Sequence, residues 1–287
     1  RFGFVDRPGG RKDHAQPTPP VGGLVIVPAF IGFSILSGAD PLRQWPFWAA
    51  LAVIMLAGAL DDRYAIRPRW KFMAQFIAAL LIVVFGNARV VSLGDLFGFG
   101  TVWLGFMHIP FSIVASILLI NAINLIDGID GLAGGKSFIA LFWMLAACLV
   151  AGAGAQALSI GIMMAALAGF LVYNMRSPLR RKASVFLGDA GSMALGLSLA
   201  WFGMTLGMGS DPVIAPIAVA WILALPIMDT CAQFARRVAQ GRHPFSADRN
   251  HFHHHFINAG VSVARATAII TLIGFVLGLI GVGGMLL

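Results

Sequence analysis

Charged residues are scarce in this 287-residue chain, and glutamate is absent from it altogether. Only 11% of the residues are charged, against about 25% in soluble domains, whereas 59% are hydrophobic. The mean hydropathy is +0.85. Because soluble domains, disordered chains and coiled coils all carry more charge, this composition excludes all three classes and indicates an integral membrane protein.

Cysteine is also rare. Cys148 and Cys231 lie far apart within apolar runs, so the sequence supports neither a disulfide framework nor a CxxC metal site. The chain begins at Arg1 with a polar stretch and shows no signal peptide. We therefore expect a further segment upstream of the sequence shown.

Apolar runs separated by proline, glycine and charge clusters predict nine transmembrane helices. The predicted spans are 22–38, 46–60, 71–86, 108–126, 137–153, 157–174, 190–207, 213–232 and 265–286. The turn-rich segment 87–107 predicts a short hairpin or an interfacial segment. The expected fold is thus an all-α polytopic membrane protein, with residues 1–287 forming one integral-membrane catalytic domain.

The basic residues predict the orientation of these spans. Eighteen of the twenty lysines and arginines fall on one side, and only Arg43 and Arg89 fall on the other. Because basic residues near span ends stay in the cytoplasm, we expect that side, which also carries most aspartates and histidines, to face the cytosol. A transporter, the alternative from another class, more often has ionisable residues along a path through the membrane.

The first polar group is the pair Asp61 and Asp62 at the end of the second predicted span. The dipole of a helix disfavours anions at its C-terminus, so we expect a cation there: Arg63, Lys71 or a metal ion. The alternative is a solvated loop with no function.

The second group lies in the segment NAINLIDGIDGLAGGK at 121–136. Asn121, Asn124 and Asp127 are spaced to form one polar stripe on a helix, and Asp130 follows in a glycine-rich loop. Glycine allows a ligand to approach the backbone, and amide and carboxylate oxygens suit a hard cation or the edge of a base. A purely structural stripe is the alternative.

Two further groups complete the set. Asp189, within FLGDAGS at 186–192, is either the N-cap of the next helix or a metal ligand beside a basic loop. The segment 244–255 carries Arg249 and four histidines, which suit either a zinc site with His251 and His255 or, as we favour, a phosphate or pyrophosphate. Asp229 is expected to pair with Arg236 or with a neighbouring helix.

Carboxylates that suit Mg²⁺, cationic groups that suit phosphate, and a membrane setting together indicate phosphoryl transfer to or from a lipid. These segments, in this order, resemble the polyprenyl-phosphate N-acetylhexosamine-1-phosphate transferases. The resemblance runs from Phe4 to about Gly260 and rests on the segments RPGGRKDHAQPTPPVGG, DDRYAIRPRWKF, NAINLIDGIDGLAGG, VFLGDAGS and SADRNHFHHHF. The last of these is more similar to the bacterial undecaprenyl-phosphate GlcNAc-1-phosphate transferases than to the phospho-MurNAc-pentapeptide transferase.

The resemblance implies a reaction in which a UDP-N-acetylhexosamine and undecaprenyl phosphate give UMP and a lipid pyrophosphate sugar, with Mg²⁺ or Mn²⁺. This would be the first membrane step of envelope polysaccharide synthesis, on the cytosolic face of the bacterial inner membrane. The alternative is the phospho-MurNAc-pentapeptide reaction of peptidoglycan synthesis. The family also implies one more helix at each end and a homodimer, and it implies no nucleic acid partner.

The resemblance also assigns roles to residues. The metal ligands would be Asp189 and Asp127. The catalytic groups would be Asp61, Asp62, Asp127, Asp130, His253, His254 and His255, with the base or nucleophile left open between Asp61 and Asp62. The substrate-binding groups would be Lys71, Asn121, Asn124, Asn174, Phe186 and Arg249, with Lys71 and Asn174 in supporting positions.

Overall fold

The computed structural model describes residues 18–95, 98–177, 180–208, 212–243 and 251–285. These residues form helices and no named strand, as the sequence predicts. In chain order the helices are α1 (Gly22–Leu36), α2 (Pro41–Tyr64), α3 (Pro68–Leu80), α4 (His108–Ile126), α5 (Leu132–Val150), α6 (Gly154–Asn174), α7 (Gly188–Leu206), α8 (Pro216–Ile222), α9 (Ala224–Ala239), α10 (Phe252–Asn258) and α11 (Val263–Gly283). A π-helical turn, Leu81–Phe85, extends α3, and a 3-10 turn, Gly105–Met107, precedes α4.

Several of these helices are long and apolar enough to cross a membrane. Within the described residues there are six, namely α2, α3 with its π-helical turn, α4 with its 3-10 turn, α5, α6 and α11. A seventh is obtained if α8 and α9, which meet at a bend of 75°, form one broken span. The chain is therefore a multi-pass membrane protein. The predicted count of nine spans also requires α1 and α7 to cross the membrane, and that part of the count stays a prediction.

Proline explains the bend between α8 and α9. Pro226 lies in the first turn of α9. Its ring would clash with the carbonyl of Ile222, four residues earlier, and α8 ends at that residue. The eighth predicted span, 213–232, is thus two helices in different directions.

Helix α7 lies at the centre of the molecule. All of its residues are buried except Gly188, Asp189 and Thr205, and it packs against α1, α2, α4 and α5. A Cβ atom at Gly58 of α2 would lie 2.3 Å from the Ala190 nitrogen of α7. Glycine at this crossing therefore brings the end of α2 and the start of α7 into backbone contact.

The described parts of the segment 87–107 pair as a hairpin, one of the two predicted alternatives, with an antiparallel bridge between Ser92 and Trp103. The Leu93 amide donates to the Val102 carbonyl at 2.9 Å, and the Leu104 amide donates to the Val91 carbonyl at 2.9 Å. The predicted start of the fifth helix at 137 is wrong. The helix begins at Leu132, after Gly131 in the left-handed region (φ +79°), so the following glycines belong to helix packing and not to a loop.

Candidate active site at the ends of α2, α4 and α7

Lys71 joins the end of α2 to the start of α7. Its Nζ atom lies 2.8 Å from Asp61 Oδ2 and 2.5 Å from Asp189 Oδ2. Lys71 stands in the first turn of α3, which follows α2 after a short connection. The prediction that a cation lies beside the paired aspartates is confirmed, and this cation is a lysine.

Asp62 binds the N-terminus of α7. Its Oδ1 atom accepts a hydrogen bond from the Asp189 amide at 2.9 Å, and its Oδ2 atom accepts one from the Ala190 amide at 3.3 Å. Gly188 has a φ of +72°, and a Cβ atom there would lie 2.6 Å from Asp62 Oδ2. The alternative that Asp189 is the N-cap of its own helix is therefore wrong: α2 supplies this carboxylate, and Asp189 is directed towards Lys71.

Asn124 holds the other oxygen of Asp189. Its Nδ2 atom donates to Asp189 Oδ1 at 2.8 Å and lies 2.9 Å from Ser192 Oγ. Both oxygens of Asp189 thus have a donor, one from α3 and one from α4. We call Asp61, Asp62, Lys71, Asn124 and Asp189 the lysine–aspartate cluster.

Asn121 lies one turn earlier on α4 and pairs with Gln75, which the sequence pattern did not predict as a site residue. Its Nδ2 atom donates to Gln75 Oε1 at 2.7 Å, and Gln75 Nε2 lies 3.3 Å from Asn121 Oδ1. Gln75 is 1% exposed. Gln75 stands four residues after Lys71 on the same face of α3, and this spacing is the signal in the sequence that could have identified it. In this structure Asn121 thus joins α3 to α4.

Asp130 and Asn174 fix the loop that follows α4. Asp130 Oδ2 accepts a hydrogen bond from Arg176 Nε at 2.7 Å. Asn174 Oδ1 accepts one from the Gly131 amide at 2.9 Å, and its Nδ2 atom donates to the Val185 carbonyl at 2.8 Å. These contacts attach the loop to the connection between α6 and α7.

Asp127 ends α4 and lies among other carboxylates. Burial and the negative charges of Asp189, Asp62 and Asp130 raise the pKa of the Asp127 carboxyl to about 8. This part of the molecule therefore carries more negative charge than its own lysine neutralises, which favours the binding of a further cation.

The histidine triplet lies on α10, and one of its members reaches the same loop. His253 is 2% exposed, and a Cβ atom at Gly128 would lie 2.2 Å from its Nε2 atom. Within the described ranges this Nε2 atom has no hydrogen-bond partner. Burial and the neighbouring imidazoles lower the pKa of His253 to about 3, so His253 is neutral near pH 7.

The remaining predicted residues are less central in this structure. The His254 ring lies 4.1 Å from the His253 ring, and His255 is exposed. Phe186 lies two residues before α7, and its carbonyl accepts a hydrogen bond from the Gly22 amide at 3.0 Å. Arg249 lies in 244–250, outside the described residues. Asp229 pairs with His251, a contact with a neighbouring helical segment.

The side chains that could bind a metal ion at this site suit magnesium better than zinc. Among the residues that the structure describes, no group of three or more His, Cys, Asp or Glu side chains could hold a metal ion. Structural zinc needs four such ligands and catalytic zinc three. Mg²⁺ instead takes one or two carboxylates and completes its shell with water and phosphate oxygens. The oxygens of Asp189 and Asp127 fit that requirement.

Comparison with known proteins gives the family of the chain and several named relatives. The family model described as glycosyl transferase family 4 matches residues 45–207, which include the whole lysine–aspartate cluster. An Escherichia coli (strain K12) protein named undecaprenyl-phosphate alpha-N-acetylglucosaminyl 1-phosphate transferase is 34% identical over 98% of this chain and 77% of its own length.

Two other relatives show the same level of similarity. The Yersinia pestis protein of that name is 34% identical over 99% of this chain and 78% of its own length. A Bacillus subtilis (strain 168) protein, named probable undecaprenyl-phosphate N-acetylglucosaminyl 1-phosphate transferase, is 34% identical over 96% of this chain and 76% of its own length.

Proposed function

Because the chain belongs to glycosyl transferase family 4, we propose that it transfers N-acetylglucosamine 1-phosphate from UDP-N-acetylglucosamine to undecaprenyl phosphate. The products are UMP and an undecaprenyl-pyrophosphate-linked sugar. The observation that carries the proposal is the lysine–aspartate cluster, in which three helix ends bring Asp61, Lys71 and Asp189 within hydrogen-bond distance. The names of the relatives supply the substrates.

The cluster has the chemistry that phosphoryl transfer between two anions requires. Both substrates carry phosphate groups, so catalysis consists largely of positioning them and neutralising their charge. Lys71 supplies one positive charge, and Asn124 and Lys71 hold Asp189 in a fixed orientation. The surplus of carboxylates beside them supports a bound divalent cation.

Mg²⁺ would be held by Asp189 and Asp127, and when bound it would neutralise charge on the phosphates of the donor. His253, which is neutral near pH 7, would contact the diphosphate as an N–H donor. We propose that His254, His255 and Arg249 bind the same part of the donor, and that Phe186 contributes to the uridine pocket.

An apolar groove supports a lipid acceptor. A cavity of about 370 Å³ lies between α4, α7 and the α8–α9 bend, and its lining includes Ala115, Leu119, Leu199 and Ile217. Leu119 is two residues from Asn121 on α4, so the groove leads away from the lysine–aspartate cluster towards the other end of the helices. Ile217 is 46% exposed, which leaves the groove open at the side where lipid would surround the protein.

The reaction needs little deprotonation of its nucleophile. The second pKa of a phosphate monoester is about 6, so undecaprenyl phosphate is largely a dianion near neutral pH. An oxygen of this dianion attacks the β-phosphorus of the donor and forms a new P–O bond. The bond from the β-phosphorus to the oxygen shared with the α-phosphorus breaks, and its electron pair leaves with UMP. We propose that the basic side of the protein faces the cytosol of the bacterial inner membrane, where UDP-sugars are available.

The test is UMP release by the purified protein in detergent, with a panel that includes UDP-GlcNAc, UDP-GalNAc and UDP-MurNAc-pentapeptide. We expect release only when UDP-GlcNAc, undecaprenyl phosphate and Mg²⁺ are all present. Preference for UDP-MurNAc-pentapeptide would move the protein to the peptidoglycan reaction. Absence of release with every donor, also from a version with flanking helices added, would contradict the enzymatic proposal.

A second experiment separates direct attack from a covalent route. A route through a phosphorylated aspartate would release one equivalent of UMP before any acceptor is added. Direct attack predicts no release without undecaprenyl phosphate and no transfer of label to the protein from donor labelled at the β-phosphorus. A stoichiometric burst of UMP would overturn direct attack and leave Asp61 or Asp62 as the nucleophile to identify.

A further inference from the structure

A buried contact joins α9 to the start of α10, apart from the lysine–aspartate cluster. Asp229 Oδ2 lies 2.9 Å from His251 Nδ1, and Asp229 Oδ1 accepts a hydrogen bond from the Phe252 amide at 2.9 Å. Both side chains of the pair are 5% exposed. One carboxylate therefore holds the residue before α10 and the first residue of that helix.

This contact decides which nitrogen of His251 carries the proton. An ionised carboxylate only accepts hydrogen bonds, so His251 Nδ1 is the donor. In the neutral imidazole the Nε2 atom then keeps its lone pair and can only accept. Asp229 thus sets the hydrogen-bonding character of an atom that it does not touch.

His251 stands at one end of a row of imidazoles that reaches the candidate site. Its ring is nearly parallel to the His253 ring, with a centroid distance of 6.0 Å and an angle of 7°. His253 in turn lies against Gly128, the residue after Asp127. Because Asp229 holds the start of α10, it also fixes where His253 meets the loop that carries Asp127.

We propose that Asp229 is a positioning residue for the transfer reaction: its carboxylate fixes the Nδ1–H form of His251 and so presents the Nε2 atom as an acceptor at one end of the row of imidazoles, while His253 in the same row lies against Gly128. The kinetic consequence rests on the proposed function. The tautomer and the anchoring of α10 do not, and they are measurable in a protein of any activity.

Asp229→Asn is the informative variant because it keeps the shape of the side chain. The asparagine oxygen still accepts from the Phe252 amide, but its NH₂ group must donate to His251 Nδ1, which moves the imidazole proton to Nε2. We expect thermal stability close to that of the wild type and a loss of about 10–100-fold in kcat/KM for the UDP-sugar, the usual cost of losing a partner that orients a functional histidine. The KM for undecaprenyl phosphate should not change.

Two variants separate positioning from simple anchoring. His251→Asn keeps an N–H donor for Asp229 but has no atom in place of Nε2, so we expect it to lose as much kcat/KM as Asp229→Asn, and the two losses should not add. Thr230→Val is the matched control, because its hydroxyl is buried and has no partner in the described part of the chain. Full activity in His251→Asn, or in Asp229→Asn, would overturn the proposal.

Nitrogen NMR of the full-length protein with ¹⁵N-labelled histidine tests the tautomer without any activity. We expect an Nδ1–H signal that is missing in His251→Asn and changes to Nε2–H in Asp229→Asn. His108 provides an internal reference, because its Nδ1 atom lies 2.6 Å from the Gly105 carbonyl and should keep its signal in all variants. An Nε2–H signal for His251 in the wild type would overturn the inference, whereas absence of UMP release would contradict only the proposed function.

Discussion

At the scale of single residues, Lys71 is the group whose removal should matter most. It is the cation between Asp61 and Asp189, so Lys71→Met leaves two carboxylates facing each other without it. We expect UMP release to fall at least about 100-fold, as when one charge-stabilising group is removed from an active site. Arg69→Met, in the same turn of α3, is the control and should stay within about twofold of the wild type. Equal rates for the two variants would rule out a role for Lys71.

Asp127 predicts a pH dependence of stability. The pKa of its carboxyl is about 8 in the folded protein, against 3.8 for an unperturbed aspartate, so the folded state binds the proton more tightly than the unfolded state. Its contribution to stability is therefore present below about pH 4 and is lost as the pH rises through 8. In EDTA, we expect Asp127→Asn to raise the Tm at pH 8.5 by at least about 2 °C, with a smaller rise at pH 5 and none below about pH 4.

Added Mg²⁺ gives the complementary measurement for the same residue. Because the ion would bind the carboxylate of Asp127, it should raise the Tm of the wild type at pH 8.5 and raise that of Asp127→Asn much less. Asp95→Asn, in the hairpin, should behave as the wild type does in both media. A Tm for Asp127→Asn that matches the wild type at every pH would contradict the assignment.

Most residues of the site could be identified from the sequence, but their contacts could not. Paired aspartates at the end of an apolar run and an amide stripe before a glycine loop are local patterns, and they indicate where chemistry lies. Asp62 at the start of α7 and Gln75 against Asn121 are contacts between distant segments. No local spacing encodes such contacts, which depend on how closely the helices approach one another.

At the scale of helices, the crossing of α2 and α7 depends on Gly58. A Cβ atom there would meet the Ala190 nitrogen at 2.3 Å, and backbone cannot move aside as a flexible side chain can. Gly58→Ala should therefore separate the two helices, destabilise the protein by about 1–3 kcal/mol and pull Asp61 away from Asp189. We expect a lower Tm than in the wild type and a loss of UMP release that exceeds the loss of folded protein.

Gly161→Ala provides the matched control for this crossing. It lies within α6, where a Cβ atom would have nothing within 4 Å, and alanine favours helix by up to about 1 kcal/mol over glycine. Its Tm should be unchanged or higher. A Gly58→Ala protein with the Tm and activity of Gly161→Ala would show that the two helices tolerate a wider spacing.

The helices themselves follow largely from hydrophobic runs, and the start of α5 is an instructive exception. Gly134 and Gly135 suggest a loop, yet they lie inside α5, where they pack against α6 and α11. Composition alone does not distinguish glycine at a turn from glycine at a tight helix contact. Helix α7, which lies among other helices, carries polar and small residues that a helix facing lipid on all sides would not have.

At the scale of the whole molecule, the distribution of charge predicts its orientation in the membrane. Arg43 lies on the sparsely charged side and Arg181 on the basic side, and Cys231 is the exposed native cysteine in the described residues. In a Cys231→Ala background, a membrane-impermeant maleimide should label Arg43→Cys in intact spheroplasts and Arg181→Cys only after lysis. The reverse pattern would place the candidate site outside the cell.

The groove between α4, α7 and the bent α8–α9 pair predicts a selective effect on one substrate. Ala115→Phe would fill part of this cavity, so the KM for undecaprenyl phosphate should rise about tenfold, equivalent to about 1.4 kcal/mol. The KM for the UDP-sugar should not change. Val114→Phe, on the adjacent, 64% exposed position of α4, should leave both constants unaltered; a parallel rise of both in Ala115→Phe would indicate general distortion.

The bend at Pro226 has a consequence for how the enzyme encounters its acceptor. On the proposed function, an acceptor that enters this groove from the side arrives by two-dimensional diffusion, and its effective concentration is a mole fraction within the bilayer or micelle. Adding inert lipid at a fixed total amount of acceptor therefore slows the reaction, whereas adding buffer does not. The concentration of the water-soluble donor falls when buffer is added and does not change when inert lipid is added. The protein therefore joins a reactant whose concentration is set per membrane area to one whose concentration is set per volume.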